Sequence, residues 1–105
     1  MIRLFLVLVL AQDASFFHAE GLRLYKGKNY EAALGQFRQA VAFDPARADS
    51  WQGIGNSLTY LGRKEEALPA FEKALALNPD DERLRSFVEK LRAALRSSPK
   101  LAGEG

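Results

Sequence analysis

Laid over itself, the chain matches at one offset. Asp44-Pro45 and Asn78-Pro79 lie 34 residues apart. The same step relates Phe17 to Trp51, Gly21 to Gly55, Leu24 to Leu58, Ala33 to Ala67, Phe37 to Phe71 and Ala40 to Ala74. A unit this short cannot bury its apolar face alone, so successive units must stack on one another. Two units follow, residues 14–47 and 48–81.

Each unit reads as a helical hairpin. In the second, Trp51, Ile54, Gly55, Leu58 and Leu61 recur at three- and four-residue steps, one face of an α-helix. Gly62-Arg63 interrupts the pattern, and Ala67, Leu68, Phe71, Ala74, Leu75 and Leu77 mark a second helix. That helix stops at Asn78-Pro79, because a residue before proline is disfavoured in the α region. The first unit repeats the plan around a turn at Gly27-Lys28-Asn29. Gly21 and Gly55 are expected to face Ala33 and Ala67 where the helices of a hairpin touch, with Phe37 and Phe71 filling the space between units. Pro69 removes one helical hydrogen bond and is expected to face solvent.

Residues 82–96 form one further helix with a single apolar stripe, Leu84, Phe87, Val88, Leu91 and Leu95. Arg85, Glu89 and Arg92 stand where a hairpin partner would need apolar contacts, so this helix ends the stack as a polar-backed cap. Asp80-Asp81-Glu82 is read as its acidic start rather than a cation site. Residues 97–105, with Pro99 and two glycines, are expected to be disordered.

The pattern large-x-x-large-Gly-x-x-large followed by Ala, aromatic, Ala and Pro resembles the tetratricopeptide repeat. Trp51, Ile54, Gly55, Leu58, Ala67, Phe71, Ala74 and Pro79 carry the resemblance in the second unit. Phe17, Gly21, Leu24, Ala33, Phe37, Ala40 and Pro45 carry it in the first, which departs at Glu20, where an apolar residue is usual. The resemblance implies an all-α solenoid of two hairpins and a capping helix, working as an adaptor that binds a protein or peptide on its concave face.

Carried over by position, the lining residues are Ser15, His18, Leu22, Tyr25 and Lys26 in the first repeat, then Asp49, Gln52, Asn56, Thr59 and Tyr60 in the second. The cap adds Arg83, Ser86, Phe87 and Lys90. Some members of the family clamp chaperone carboxylates with Lys, Asn and Arg. The matching positions here hold His18, Leu22, Gly53, Arg83 and Phe87, and only Arg83 fits, so that clamp is not expected.

Composition narrows the remaining chemistry. The chain has no cysteine and one histidine, His18. Disulfides and thiolate metal sites are therefore excluded, and no serine or carboxylate is placed by the pattern to work with His18. No enzyme activity and no cofactor are expected. A net charge of +2 is small for a nucleic-acid binder. Arg83, Arg85, Lys90, Arg92 and Arg96 are read as a solvated face beside Glu82 and Glu89.

Residues 1–13 differ from the rest. Met1-Ile2-Arg3 is followed by eight apolar residues, Leu4 to Ala11. Eight residues of helix span about 12 Å against about 30 Å of hydrocarbon, so no membrane span is expected. Two readings stay open. The segment is a signal peptide cut between Ala11 and Gln12, giving an exported protein, or an apolar segment that packs on the first repeat. Two repeats are few, and a homo-oligomer formed through Phe16, Phe17, Leu22 and Leu24 is the competing expectation.

Overall fold

A computed structural model describes residues 13–97, all of whose regular structure is helical. Helices α1 (Ala14–Lys26) and α2 (Tyr30–Phe43) form the first hairpin, α3 (Ala48–Tyr60) and α4 (Lys64–Leu77) the second, and α5 (Glu82–Arg96) follows. The sequence readings of a signal segment at 1–11 and of a disordered tail beyond Ser97 lie outside the described residues.

The boundaries follow from local chemistry. The Asp13 carboxylate accepts from the backbone N–H groups of Ser15 (3.0 Å) and Phe16 (3.2 Å), so Asp13 caps α1. Asp81 caps α5 by accepting from the Leu84 N–H at 3.0 Å. Both hairpins turn through the same motif. Asn29 N–H donates to the Leu24 carbonyl and Lys28 N–H to that of Tyr25, each at 2.9 Å. Arg63 and Gly62 repeat this onto Leu58 (2.8 Å) and Thr59 (3.0 Å). The motif needs one left-handed residue, which is Lys28 (φ 64°) in the first turn and Gly62 (φ 78°) in the second.

Packing adds to one expectation. The side chains that come nearest to Gly21 and Gly55 are phenylalanine rings. A Cβ on Gly21 would lie 2.7 Å from the Phe37 ring, and one on Gly53 would lie equally close to the same edge of that ring. Phe37 is thus held between the first helix of its own hairpin and that of the next. Phe71 meets Gly55 in the same way, at 2.7 Å. Ala33 and Ala67 are fully buried in the core with Leu34, Ile54, Leu58 and Val88, but they do not touch the glycines at this distance.

The cap closes the stack by shape. The position equivalent to Gly53 is Phe87, whose ring meets Phe71 edge-on with centroids 4.8 Å apart. Leu84 and Val88 complete the buried stripe, while Glu89 is exposed where Gly55 stood one unit earlier. An Arg92–Glu72 pair at 2.6 Å ties α5 to α4. Pro69 is exposed in the second turn of α4, as expected.

Candidate functional site

The first helix of each hairpin and α5 present one polar face. Steps of three and four residues bring His18, Leu22 and Tyr25 of α1 to one stripe, and Asp49, Gln52, Gly53 and Asn56 of α3 to the next. Together, with Phe37 as floor, they enclose a cleft of about 220 Å³. Gln52 and Asn56 also wall a second cleft of about 490 Å³ with Phe71, Asp81, Arg83, Leu84 and Phe87. The two clefts share those amides as a common wall, and neither amide makes a side-chain hydrogen bond within the described residues. A free amide on a groove wall offers a donor and an acceptor to a polypeptide backbone.

Three tyrosines stand at the turn end of this face. Tyr60 stacks on Tyr30 with centroids 4.6 Å apart and planes 7° from parallel, and Tyr25 meets both edge-on at 5.4 and 5.7 Å. Burial, then the neighbouring Tyr60, pushes the Tyr25 hydroxyl above its ordinary range. Tyr60 remains 63% exposed. Tyr30 was not anticipated, because its equivalent in the second unit is Lys64 and the repeat carries no aromatic there.

At the opposite end lies a polar cluster that joins the two repeats. His18 Nδ1 is 2.8 Å from Ser50 Oγ, and its Nε2 is 3.4 Å from Asp49 Oδ2. Arg47 donates two hydrogen bonds to Asp49, at 3.1 and 2.8 Å, and one to Ser15 Oγ at 2.9 Å. Desolvation lowers the His18 pKa; the Asp49 charge opposes that and the Arg47 charge adds to it. The Arg47 hydrogen bonds, before any other cause, hold the Asp49 carboxyl below its usual range. With His18 neutral, Nε2–H directed at Asp49 leaves Nδ1 to accept from the Ser50 hydroxyl.

A serine and a carboxylate do therefore flank the histidine, contrary to the sequence reading. The arrangement does not make a nucleophile. Ser50 is fully buried, with no surface from which its oxygen could reach a substrate, and attack requires a reachable reacting centre. The cluster acts as a polar clasp between repeats.

Other expected positions divide. His18, Leu22, Tyr25, Gln52, Asn56, Arg83 and Phe87 line the groove, and Tyr60 joins it through Tyr25. The Thr59 hydroxyl donates to the Gly55 carbonyl at 2.8 Å, so its proton is spent inside the helix. Lys26, Ser86 and Lys90 are exposed beside the groove without lining it. Gly53 and Phe37, its floor, were not among the expected lining residues; both belong to the repeat's packing pattern.

The self-pairing face also comes apart. Leu22 lies six residues from Phe16, about 240° around a helix, and opens into the groove, while Leu24 packs against the core. Only Phe16 and Phe17 remain together, with Phe17 stacked on Phe43 at 5.4 Å. Among the described residues, no helix is long and apolar enough to cross a membrane and no group of side chains is placed to hold a metal ion.

A model of the tetratricopeptide repeat matches residues 48–81. An uncharacterized protein of Methanocaldococcus jannaschii is 30% identical over 81 residues, covering 69% of this chain and 94% of its own. The chain belongs to the tetratricopeptide repeat family. Superkiller protein 3 of Schizosaccharomyces pombe is 32% identical over 71 residues, which are 68% of this chain and 5% of that protein. The peroxisomal targeting signal receptor of Kluyveromyces lactis is 35% identical over 65 residues, 62% of this chain and 12% of the receptor. This tetratricopeptide repeat chain thus spans a small part of the length of these larger relatives. Its fold is that of a protein–protein interaction module.

Proposed function

We propose that this module binds an extended or short helical polypeptide along the face built by α1, α3 and α5. The observation that carries the reading is the pair of uncommitted amides, Gln52 and Asn56, shared by two adjacent clefts. Tyr60 and Phe87 supply exposed aromatic area on either side of them, and aromatic side chains bury much surface at low entropic cost. Arg83, in no ion pair among the described residues, gives the cap end of the groove a positive charge. The name of one relative, a targeting signal receptor, describes a chain that receives a signal, and the same use is proposed for this one.

The test is capture of a polypeptide from native lysate by the immobilised chain, compared with the Gln52→Ala, Asn56→Ala double variant. Both side chains are half-buried at a cleft and outside the core, so the variant should unfold at nearly the wild-type temperature. The captured polypeptide should fall by about tenfold or more, the usual consequence of losing central interface contacts. Undiminished capture would show that the partner sits elsewhere.

A further inference from the structure

The opposite side of the molecule carries a second groove, independent of the one above. The second helices of the two hairpins, α2 and α4, make little contact with each other, whereas α1 and α3 touch and α2 packs on α3. The gap between α2 and α4 is an open groove of about 740 Å³ with α3 as its floor. Trp51, Ile54 and Leu58 form that floor, and Val41 and Ala70 the walls. The Trp51 indole N–H donates to the Pro45 carbonyl at 2.8 Å, which fixes the ring within the groove.

The rim is cationic. Arg38 on α2 and Lys73 on α4 are exposed, line the groove, and belong to no ion pair among the described residues. The one carboxylate there, Glu66, is already matched by two hydrogen bonds from Arg63, at 2.8 and 2.9 Å. Arg38 also acts on Glu66 through its charge, but with Arg63 holding that carboxylate the rim keeps a positive balance. An apolar trough between two cations outside any ion pair complements a segment with apolar anchors flanked by carboxylates.

The backbone around the groove decides the conformation of its occupant. Both walls are helices, whose N–H and C=O groups are paired within the helix along their middle turns. The unpaired carbonyls are Glu65, to which Pro69 can offer no N–H, and Val41 and Ala42 in the last turn of α2. Helical carbonyls point along the axis and form no strand edge. An extended strand would find no ladder to join and would leave its own backbone polar groups unmet in the trough; a helix satisfies its own. The α4 wall from Glu66 to Lys73 is about 11 Å long, two helical turns.

We propose that this groove receives two turns of an acidic amphipathic helix from a partner protein, with apolar side chains on Trp51, Ile54 and Leu58 and carboxylates on Arg38 and Lys73. Such a partner would bind without competing for the Gln52–Asn56 face.

Trp51 is the chain's only tryptophan and so reports on the groove by itself. The probe is an end-capped helical peptide of about 12 residues with leucines at i, i+3, i+4 and i+7 and glutamates between. It should shift Trp51 emission saturably, and its lysine counterpart should not. Arg38→Glu with Lys73→Glu should weaken the acidic probe by about tenfold or more and let the lysine probe bind. Neither side chain is buried or paired, so the double variant keeps its fold. Gln52→Ala with Asn56→Ala should leave the titration unchanged. No saturable shift with the acidic probe at millimolar concentration, equal binding of both probes, or loss of binding in the Gln52, Asn56 variant overturns the proposal.

Discussion

The two repeats share one plan, yet the same position does different work in each. Phe37, in the first, is held between Gly21 and Gly53, two bare backbones that both close on the same edge of the ring. Phe71, in the second, has Gly55 on one side, but Phe87 stands where the second glycine would be. Glu20 in the first unit, paired with Arg23 at 2.8 Å, occupies the place of buried Ile54 in the second. The contact between repeats is thus tightly closed around Phe37, with clefts opening on either side of it. The outer flanks instead hold a polar Glu20 or a partly exposed Phe87. The difference teaches where a short solenoid stores its stability: in the single interface that has a repeat on either side.

That contrast is broken most directly at the rings. Phe37→Ala should cost about 3–5 kcal/mol, the usual range for emptying a buried aromatic site. For a two-hairpin chain this approaches the whole margin of stability. Phe71→Ala should cost measurably less, because Phe87 is already 43% exposed and can settle into part of the void. Chemical denaturation of both variants decides the matter. Equal losses would mean that the glycine pair around Phe37 adds nothing over one glycine and an edge-on ring.

A smaller effect should come from the clasp between repeats. Desolvation keeps the folded His18 pKa below the unfolded value, which is about 6.5. Between those two values the unfolded state holds a proton that the folded state refuses, so stability rises with pH there. It is fully present above pH about 6.5 and falls as the solution is acidified through the window below. Asp49, also lowered, adds its own loss only at lower pH, beneath the ordinary carboxylate range. Denaturation midpoints from pH 8 to 5 should therefore decline for the wild type and stay nearly level for His18→Gln over the same range. A wild type as flat as the variant would mean that His18 is not desolvated between the repeats.

Much of this was legible in the residues, and the failures have one cause. The period located both hairpins, the turns at Gly27-Lys28-Asn29 and Gly62-Arg63, and the polar-backed cap, since each depends on neighbours within one helix or one turn. That each glycine lies against a phenylalanine ring was not legible. Ala33 and Phe37 lie one helical turn apart on the same face, and the registry of two packed helices decides which of them comes nearest to Gly21. The His18–Ser50 contact failed for the same reason: it crosses repeats, and the stacking offset appears nowhere in a self-comparison. The groove-facing positions of α1 and α3 came from the family resemblance, carried over residue by residue, and not from the period itself. Tyr30 was hidden because it breaks the repeat.

The turns give the finest test of the comparison. Lys28 and Gly62 are equivalent residues in equivalent motifs, with the same two backbone hydrogen bonds and nearly the same positive φ. A side chain in that region crowds its own carbonyl, at a cost of about 1–2 kcal/mol for an ordinary L-residue. Glycine escapes the crowding but loses more freedom on folding, which takes back about 0.5–1 kcal/mol. The net should be that Lys28→Gly stabilises by about 0.5–1 kcal/mol and Gly62→Lys destabilises by a similar amount. The double exchange should return close to the wild type, because each turn closes its own hairpin and the sites share no partner. Differential scanning calorimetry on the three variants checks both the signs and the sum. If Lys28→Gly lowers the midpoint, the lysine side chain is held by something beyond the turn geometry, and the two repeats differ at their turns as well as at their flanks.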